Sequence, residues 1–281
     1  MVQVGVITFV TDKSMQPVEL ARAVEERGLD SLFVPEHTHI PVDSKSPFFP
    51  GGVLPDPYLR TYDPFVVLGA AAAVTTRIKL ATGICLVSQR HPITLAKEVA
   101  TVDRMSNGRF IFGIGAGWNQ PEIENHGTVF ETRWKVLRER VLAMQTIWRE
   151  DEPEFHGEFV DFNKLWSYPK PVQPGGPPIW LGANSKFIAK RIAEFGDGWM
   201  PVVGRAGGAT IEQVQDACAR RGRPFSAITL ASFYPPLDET AARAQVAEGY
   251  SHFIYGLPSA GRDAVLPVLD QVAALAVRLR S

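Results

Sequence analysis

Cysteine is scarce. The chain has two, Cys85 and Cys218, far apart and in no Cys-x-x-Cys pair, which argues against a disulfide framework or a zinc–cysteine site. Both are expected as reduced thiols, one near a strand and one on a helix. An excess of charge is also lacking: 29 Lys and Arg stand against 30 Asp and Glu, and no long basic run offers a footprint for nucleic acid. The longest nearly apolar stretch, residues 65–74, is Ala-rich and too short to span a bilayer. The opening residues 1–7 have no basic flank or small-residue cleavage site and read as a first strand. A soluble, cytoplasmic protein with no nucleic-acid or membrane partner is expected. No Gly-x-Ser-x-Gly elbow supports a serine nucleophile, and Cys85 lacks an identifiable third group to activate it. No Gly-x-Gly-x-x-Gly turn follows the first strand, as an open dinucleotide-binding sheet requires.

What is present is an alternation. With 281 residues, 45% of them hydrophobic, the chain suits one (β/α)8 barrel, which needs about 250. Short apolar runs, read as strands buried on both faces, occupy residues 4–9, 31–35, 78–84, 110–114, 179–181, 198–202, 228–233 and 252–255. Helical patterns separate them, several opened by a proline (Pro17, Pro64, Pro92) that needs no N–H partner in the first turn. Eight strands alternating with helices predict an α/β fold, a closed TIM barrel spanning 1–281 as a single domain. Two irregular stretches interrupt it. One, 38–62, follows strand 2 and carries prolines at 41, 47, 50, 55 and 57; the other, 151–178, comes between strands 4 and 5. The first is expected to cover the barrel mouth, since loops of that length usually have a function.

In such a barrel the pocket is built from the C-terminal ends of the strands. Strand 2 ends in Pro35-Glu36-His37-Thr38-His39. His37 is the candidate for proton transfer, against the alternative that Glu36 and His37 serve only structural hydrogen bonds. Whether His39 or Glu36 shares the role is open. His37-x-His39 with Glu36 or Asp43 has the ligand types of a zinc site, but later strand ends supply no completing ligands, and no metal is expected. Strand 3 ends at Gly83-Ile84, where a planar ring can approach the backbone. Strand 4 runs into Gly113-Ile114-Gly115-Ala116-Gly117-Trp118, read either as a glycine floor beneath a ligand or as an ordinary turn; Glu122 and Glu124 beyond it either bind polar groups or cap the next element. Strand 5 ends in Gly182-Ala183-Asn184-Ser185, a helix start that suits a phosphate or is simply an N-cap.

These residues, in this order, carry a resemblance. Residues 28–37, 77–84 with Arg90-His91-Pro92, 106–118, and Pro169-Lys170-Pro171 with residues 178–184 make the chain similar, over nearly its whole length, to the bacterial luciferase-like family, in particular its actinobacterial deazaflavin-dependent oxidoreductases. The resemblance implies coenzyme F420, or alternatively FMN, lying across the mouth. Its ring would face Gly83 and Ile84, joined by a non-proline cis bond, and its phosphate would rest at Gly182, Ala183, Asn184 and Ser185. Gly115, Gly117 and Trp118 are further cofactor-binding candidates, and His37 matches the family's histidine near the reactive edge. The implied activity is hydride transfer between the deazaflavin and a small organic substrate; an FMN-dependent monooxygenase is the alternative, and a non-catalytic barrel or a metal hydrolase are rivals of another class. A homodimer is implied too. One departure is that Ile7-Thr8-Phe9 stands where some relatives carry a glutamate at the end of the first strand.

Overall fold

The computed structural model describes residues 2–48 and 52–281; Pro50 and Gly51 of the first irregular stretch lie outside them. Eight strands, β1 (Gln3–Ile7), β2 (Ser31–Val34), β3 (Lys79–Thr82), β4 (Phe110–Gly115), β5 (Ile179–Leu181), β6 (Gly198–Trp199), β7 (Thr229–Phe233) and β8 (His252–Gly256), pair in parallel with their sequence neighbours. β8 pairs with β1 in the register Gln3–His252 to Ile7–Gly256, which closes the ring. The expected TIM barrel is therefore present. Around it run α1 (Pro17–Glu26), α2 (Pro64–Ala72), α3 (Pro92–Met105), α4 (Gln120–Asn125), α5 (Arg133–Arg149), α6 (Ile188–Phe195), α7 (Ile211–Ala219), α8 (Glu239–Ala247) and α9 (Arg262–Arg280). None of these helices is long and apolar enough to cross a membrane.

Local chemistry explains the boundaries. α1, α2 and α3 each begin on proline, and Asp63 caps α2 by accepting from the N–H groups of Phe65 and Val66. Thr210 and Gln213 form a reciprocal capping box on α7. Strand residues alternate between two apolar layers. Ile7, Phe33, Ala81, Ile111, Trp180, Met200, Ala231, Phe233 and Ile254 fill the barrel, while Val4, Val6, Leu32, Leu80, Phe110, Phe112 and Phe253 face the helices. Phe33 and Phe233 are thus barrel filling, and Phe110 and Phe112 belong to the outer layer.

Two expectations need correction. Strand 3 does not continue through Ile84. It stops at Thr82, the Gly83–Ile84 bond is cis, and pairing resumes at Cys85–Leu86 alongside β4. Strand 6 is shorter than expected, with Val202 rejoining only through an isolated bridge to Phe233. The second irregular stretch follows α5 and packs at the start of β4, away from the mouth: Asp103 accepts from the N–H groups of Val172 and Gln173, and the Gln173 amide donates to the Phe110 carbonyl. It contains a two-stranded ribbon, Phe155–His156 paired with Asp161–Phe162.

Candidate active site

A cavity of about 940 Å3 opens at the C-terminal ends of the strands, at the upper end of small-molecule sites. His37, Gly83, Ile84, Gly117, Trp118, Gly182, Ala183, Asn184 and Ser185 all line it. Segments more than a hundred residues apart in sequence thus converge on one space.

Gly115 is the exception. It is buried behind Ile84 and does not line the cavity: a β-carbon there would lie 1.9 Å from Ile84 Cδ1. At Gly182 a β-carbon would lie 2.5 Å from Ile84 Cγ2. The two glycines therefore make a slot for the Ile84 side chain. Gly113 answers a different need, for its β-carbon would fall 2.0 Å from the Thr82 carbonyl oxygen. The glycine-rich run is not a continuous ligand floor. Of its three alternating glycines only Gly117, with φ +78°, reaches the cavity wall.

His37 is held by a residue the sequence left ambiguous. Its Nδ1 lies 2.9 Å from Glu122 Oε2, and the Glu122 carboxylate is buried. The other carboxylate oxygen, Oε1, has no hydrogen-bond partner. A buried carboxylate against Nδ1 favours the tautomer protonated there, so Nε2 is the nitrogen left to act. Asn119 places Glu122 by capping α4 through the Glu122 N–H. The run Asn-Gln-Pro-Glu at 119–122 carries that signal: a capping Asn, a proline and a glutamate in the first turn.

Glu36 and His39 do other work. Glu36 Oε2 accepts from the Leu86 N–H at 2.6 Å, and Oε1 lies 2.5 Å from Arg90 Nε. Arg90 also pairs with Asp63 and Glu98. Burial works against the Arg90 charge, yet Glu36 and Asp63 more than offset this and hold its pKa above the usual range. Burial, then Glu36, pushes the neighbouring Cys85 thiol well up, which opposes any nucleophilic role. His39 bonds Thr38 and Asn125, and Thr38 bonds His126. This cluster ties the start of the first irregular stretch to α4. No group of three metal-ligating side chains occurs among the described residues.

The first irregular stretch does supply cavity wall. Lys45, Ser46, Pro47, Phe48 and Tyr58 line it, and the Ser46 hydroxyl accepts from the Gln120 N–H. Tyr58 lies 4.5 Å from the Phe9 ring, 5.2 Å from His37 and 5.3 Å from Phe48, centroid to centroid. Across from them stands Tyr234, at φ +57°, an uncommon conformation for a bulky residue. Its ring packs on Phe233 at 4.9 Å and over Gly256, where a β-carbon would come within 2.9 Å. Desolvation, then Tyr58, holds the Tyr234 phenol well above its ordinary pKa, so it stays a neutral donor. Tyr58 was not legible from strand ends; Tyr234 directly follows the end of β7, where that rule looks, and was not singled out.

At the other side of the cavity, Asn184 is not a free donor: its Nδ2 donates to the carbonyls of Val202 and Arg205, and its Oδ1 accepts from the Val202 N–H. Ser185 accepts from the Phe187 N–H, and α6 starts later than expected, at Ile188. Arg133 and Trp134, from α5, line this end. Arg133 Nε is buried without a partner. A roomy slot bounded by glycines, with an orphaned guanidinium N–H at one end, fits a flat ring bearing an anionic tail.

Fold and cavity together define a (β/α)8 barrel with a large cofactor-sized cleft at its mouth. The family profile described as luciferase-like monooxygenase matches residues 12–276, and the chain belongs to that family. An uncharacterized protein of Mycobacterium tuberculosis is 38% identical over 275 residues, 96% of this chain and 97% of that one. An F420-dependent glucose-6-phosphate dehydrogenase of Amycolatopsis mediterranei is 29% identical over 67% of this chain and 53% of its own. The oxygenase component of a flavin-dependent trigonelline monooxygenase of Acinetobacter baylyi is 31% identical over 59% and 42%. Among solved structures, an F420-dependent secondary alcohol dehydrogenase superposes with a TM-score of 0.79 at 19% identity, covering 100% of this chain and 99% of that one. That likeness concerns the fold.

Proposed function

We propose that this chain is an oxidoreductase that uses the deazaflavin coenzyme F420 to exchange a hydride with a small, neutral, partly apolar organic substrate. The observation that carries the reading is the Glu122–His37 pair, which holds an imidazole in the same cavity as the Gly83–Ile84 segment. Relatives of both the F420-dependent and the flavin-dependent kind support a flavin-type cofactor.

In this reading Gly83, Ile84, Gly117 and Trp118 hold the ring, and the backbone from Gly182 to Ser185 takes the phosphate. When bound, the deazaflavin supplies a two-electron hydride donor or acceptor. His37 delivers its Nε2 proton to a substrate carbonyl oxygen as the new C–H bond forms, which gives an alcohol; in the opposite direction Nε2 takes the hydroxyl proton as that C–H bond breaks. Glu122 keeps Nδ1 protonated and offsets the imidazolium charge. Phe9, Phe48, Tyr58, Trp118 and Tyr234 exclude water and offer an aromatic wall. That wall suits a ring or alkyl carbonyl compound better than a sugar phosphate.

A titration of the purified protein with F420 and FMN, each oxidised and reduced, tests the reading. Tighter binding of F420, with substrate-dependent bleaching of its absorbance and no oxygen uptake, is the expected result. Oxygen uptake coupled to substrate oxidation with reduced FMN would replace it by the monooxygenase reading.

A further inference from the structure

The first irregular stretch borders a second cavity, of about 660 Å3. Ile40, Val42, Leu54 and Leu59 of that stretch supply apolar wall, and no charged side chain among the described residues lines the space. Phe48 and Trp118 line both this cavity and the main one, with their ring centroids 6.0 Å apart. The Trp118 ring is in turn 5.9 Å from the His37 ring. A single pair of rings therefore stands between the second cavity and the imidazole.

The wall has the make-up of a site. Its apolar side is partly wet: Val42 and Leu59 are exposed, and a guest that covers contiguous apolar surface of this kind gains by doing so. Its polar side holds one unused donor. Asn119 is 1% exposed and lines the cavity. Its Oδ1 accepts from the Ser44 hydroxyl at 3.0 Å and from the Glu122 N–H at 3.4 Å. A backbone N–H can only donate, so this contact fixes which way the amide points, and Nδ2 is left buried without a partner. A buried donor in that state is costly until an acceptor reaches it. Apolar walls with one placed donor are what a small-molecule subsite requires.

We propose that the second cavity is a substrate subsite, which takes an uncharged apolar arm extending from the reacting carbon past Phe48 and Trp118. The substrate class is then a ketone or secondary alcohol with an alkyl arm, and an ether or carbonyl oxygen on that arm meets Asn119 Nδ2. Only the placing of the reacting carbon at His37 rests on the proposed function; the subsite itself stands on the second cavity and its donor.

The test uses the full-length protein and measures dissociation constants by calorimetry for methyl ketones from pentanone to tetradecanone. In the wild type the constant is expected to fall about fourfold per added methylene until the cavity is full, and then to level off. Leu54→Asp and Leu59→Asp each put a charge in the apolar wall. The long ketones are expected to lose about tenfold or more in either variant, while pentanone binds as in the wild type. Leu54→Met keeps the wall apolar and is expected to keep the dependence on length. Ethers made by replacing one chain methylene with oxygen report on Asn119: the position that meets Nδ2 is expected to keep the parent's affinity, and the others to lose about tenfold. A wild-type series without length dependence, or one that both aspartate variants leave intact, overturns the proposal. Equal loss at every ether position removes Asn119 from it. A change of oligomeric state in Leu54→Asp, seen by sedimentation, assigns the cavity to a second copy of the chain instead. A length dependence without F420-linked turnover overturns the proposed function and leaves the subsite standing.

Discussion

His37 Nδ1 and Glu122 Oε2 meet at 2.9 Å although 85 residues separate them in sequence. The pair joins the end of β2 to the short helix after β4, and in the proposed reaction it leaves Nε2 as the working nitrogen. Replacing His37 by Ala is expected to lower kcat by about a hundredfold or more while the cofactor dissociation constant stays within twofold. Glu122→Gln keeps the shape but removes the charge behind the imidazole, and kcat should fall about tenfold. An unchanged kcat in Glu122→Gln would show that the carboxylate only fills space.

The glycines around Ile84 predict a rescue. Gly182→Ala forces a methyl against Ile84 Cγ2, and overpacking of this kind costs about 1–3 kcal/mol. Adding Ile84→Ala should recover most of that loss, measured as non-additivity in a urea double-mutant cycle. Gly113→Ala has no such remedy, because the obstacle is the Thr82 carbonyl oxygen. Full additivity for the first pair would mean that Ile84 does not fill the slot.

Arg90 ties down a buried carboxylate. Arg90→Met leaves Glu36, whose side chain is 1% exposed, without its counter-charge, with only the neutral Leu86 N–H and Cys85 thiol as partners. Loss of one member of a buried pair typically costs about 3–5 kcal/mol. The double variant Arg90→Met, Glu36→Gln should recover part of it. A urea midpoint within error of wild type for Arg90→Met would contradict the network.

His252 should make the barrel acid-sensitive. Its ring is enclosed, with Nε2 2.7 Å from the Ser31 hydroxyl and Nδ1 without a partner. Burial pushes its pKa down to about 3, against about 6.5 in an unfolded chain. The unfolded chain therefore binds the extra proton between these values. The contribution is complete above about pH 6.5 and is lost as pH falls toward 3, at about 1.4 kcal/mol per unit. Between pH 6.5 and 5 the wild type should lose about 2 kcal/mol more than His252→Gln, measured by urea unfolding. Parallel slopes for the two proteins would exclude this assignment.

Much of the barrel was legible because its strands are short apolar runs punctuated by proline-opened helices, a pattern that period and punctuation reveal. Strand ends then led to His37, Gly83, Gly117 and the 182–185 turn, all of which line the cavity. What could not be read depends on which neighbour a residue faces. Glycine at 115 and glycine at 117 look alike in sequence, yet one accommodates a side chain behind the wall and the other is wall. Asn184 carries the right donor, but its amide is engaged by Val202 and Arg205. Tyr58 and Tyr234 reach the cavity through an irregular stretch folding back and through a left-handed residue, neither of which leaves a periodic trace.

The first half of the stretch after β2 is fastened to the short helix that also carries Glu122, by way of Thr38, His39, Ser44 and Ser46, and its second half to the loop after β1 by Lys13–Asp56 and Arg60–Asp12. In the proposed reaction the groups that handle the proton and those that select the guest therefore come from separate parts of the gene but share the short helix as a common post. Exchanging residues 40–60 between relatives, with the post left in place, offers a route to new substrate ranges in which the chemistry travels unchanged.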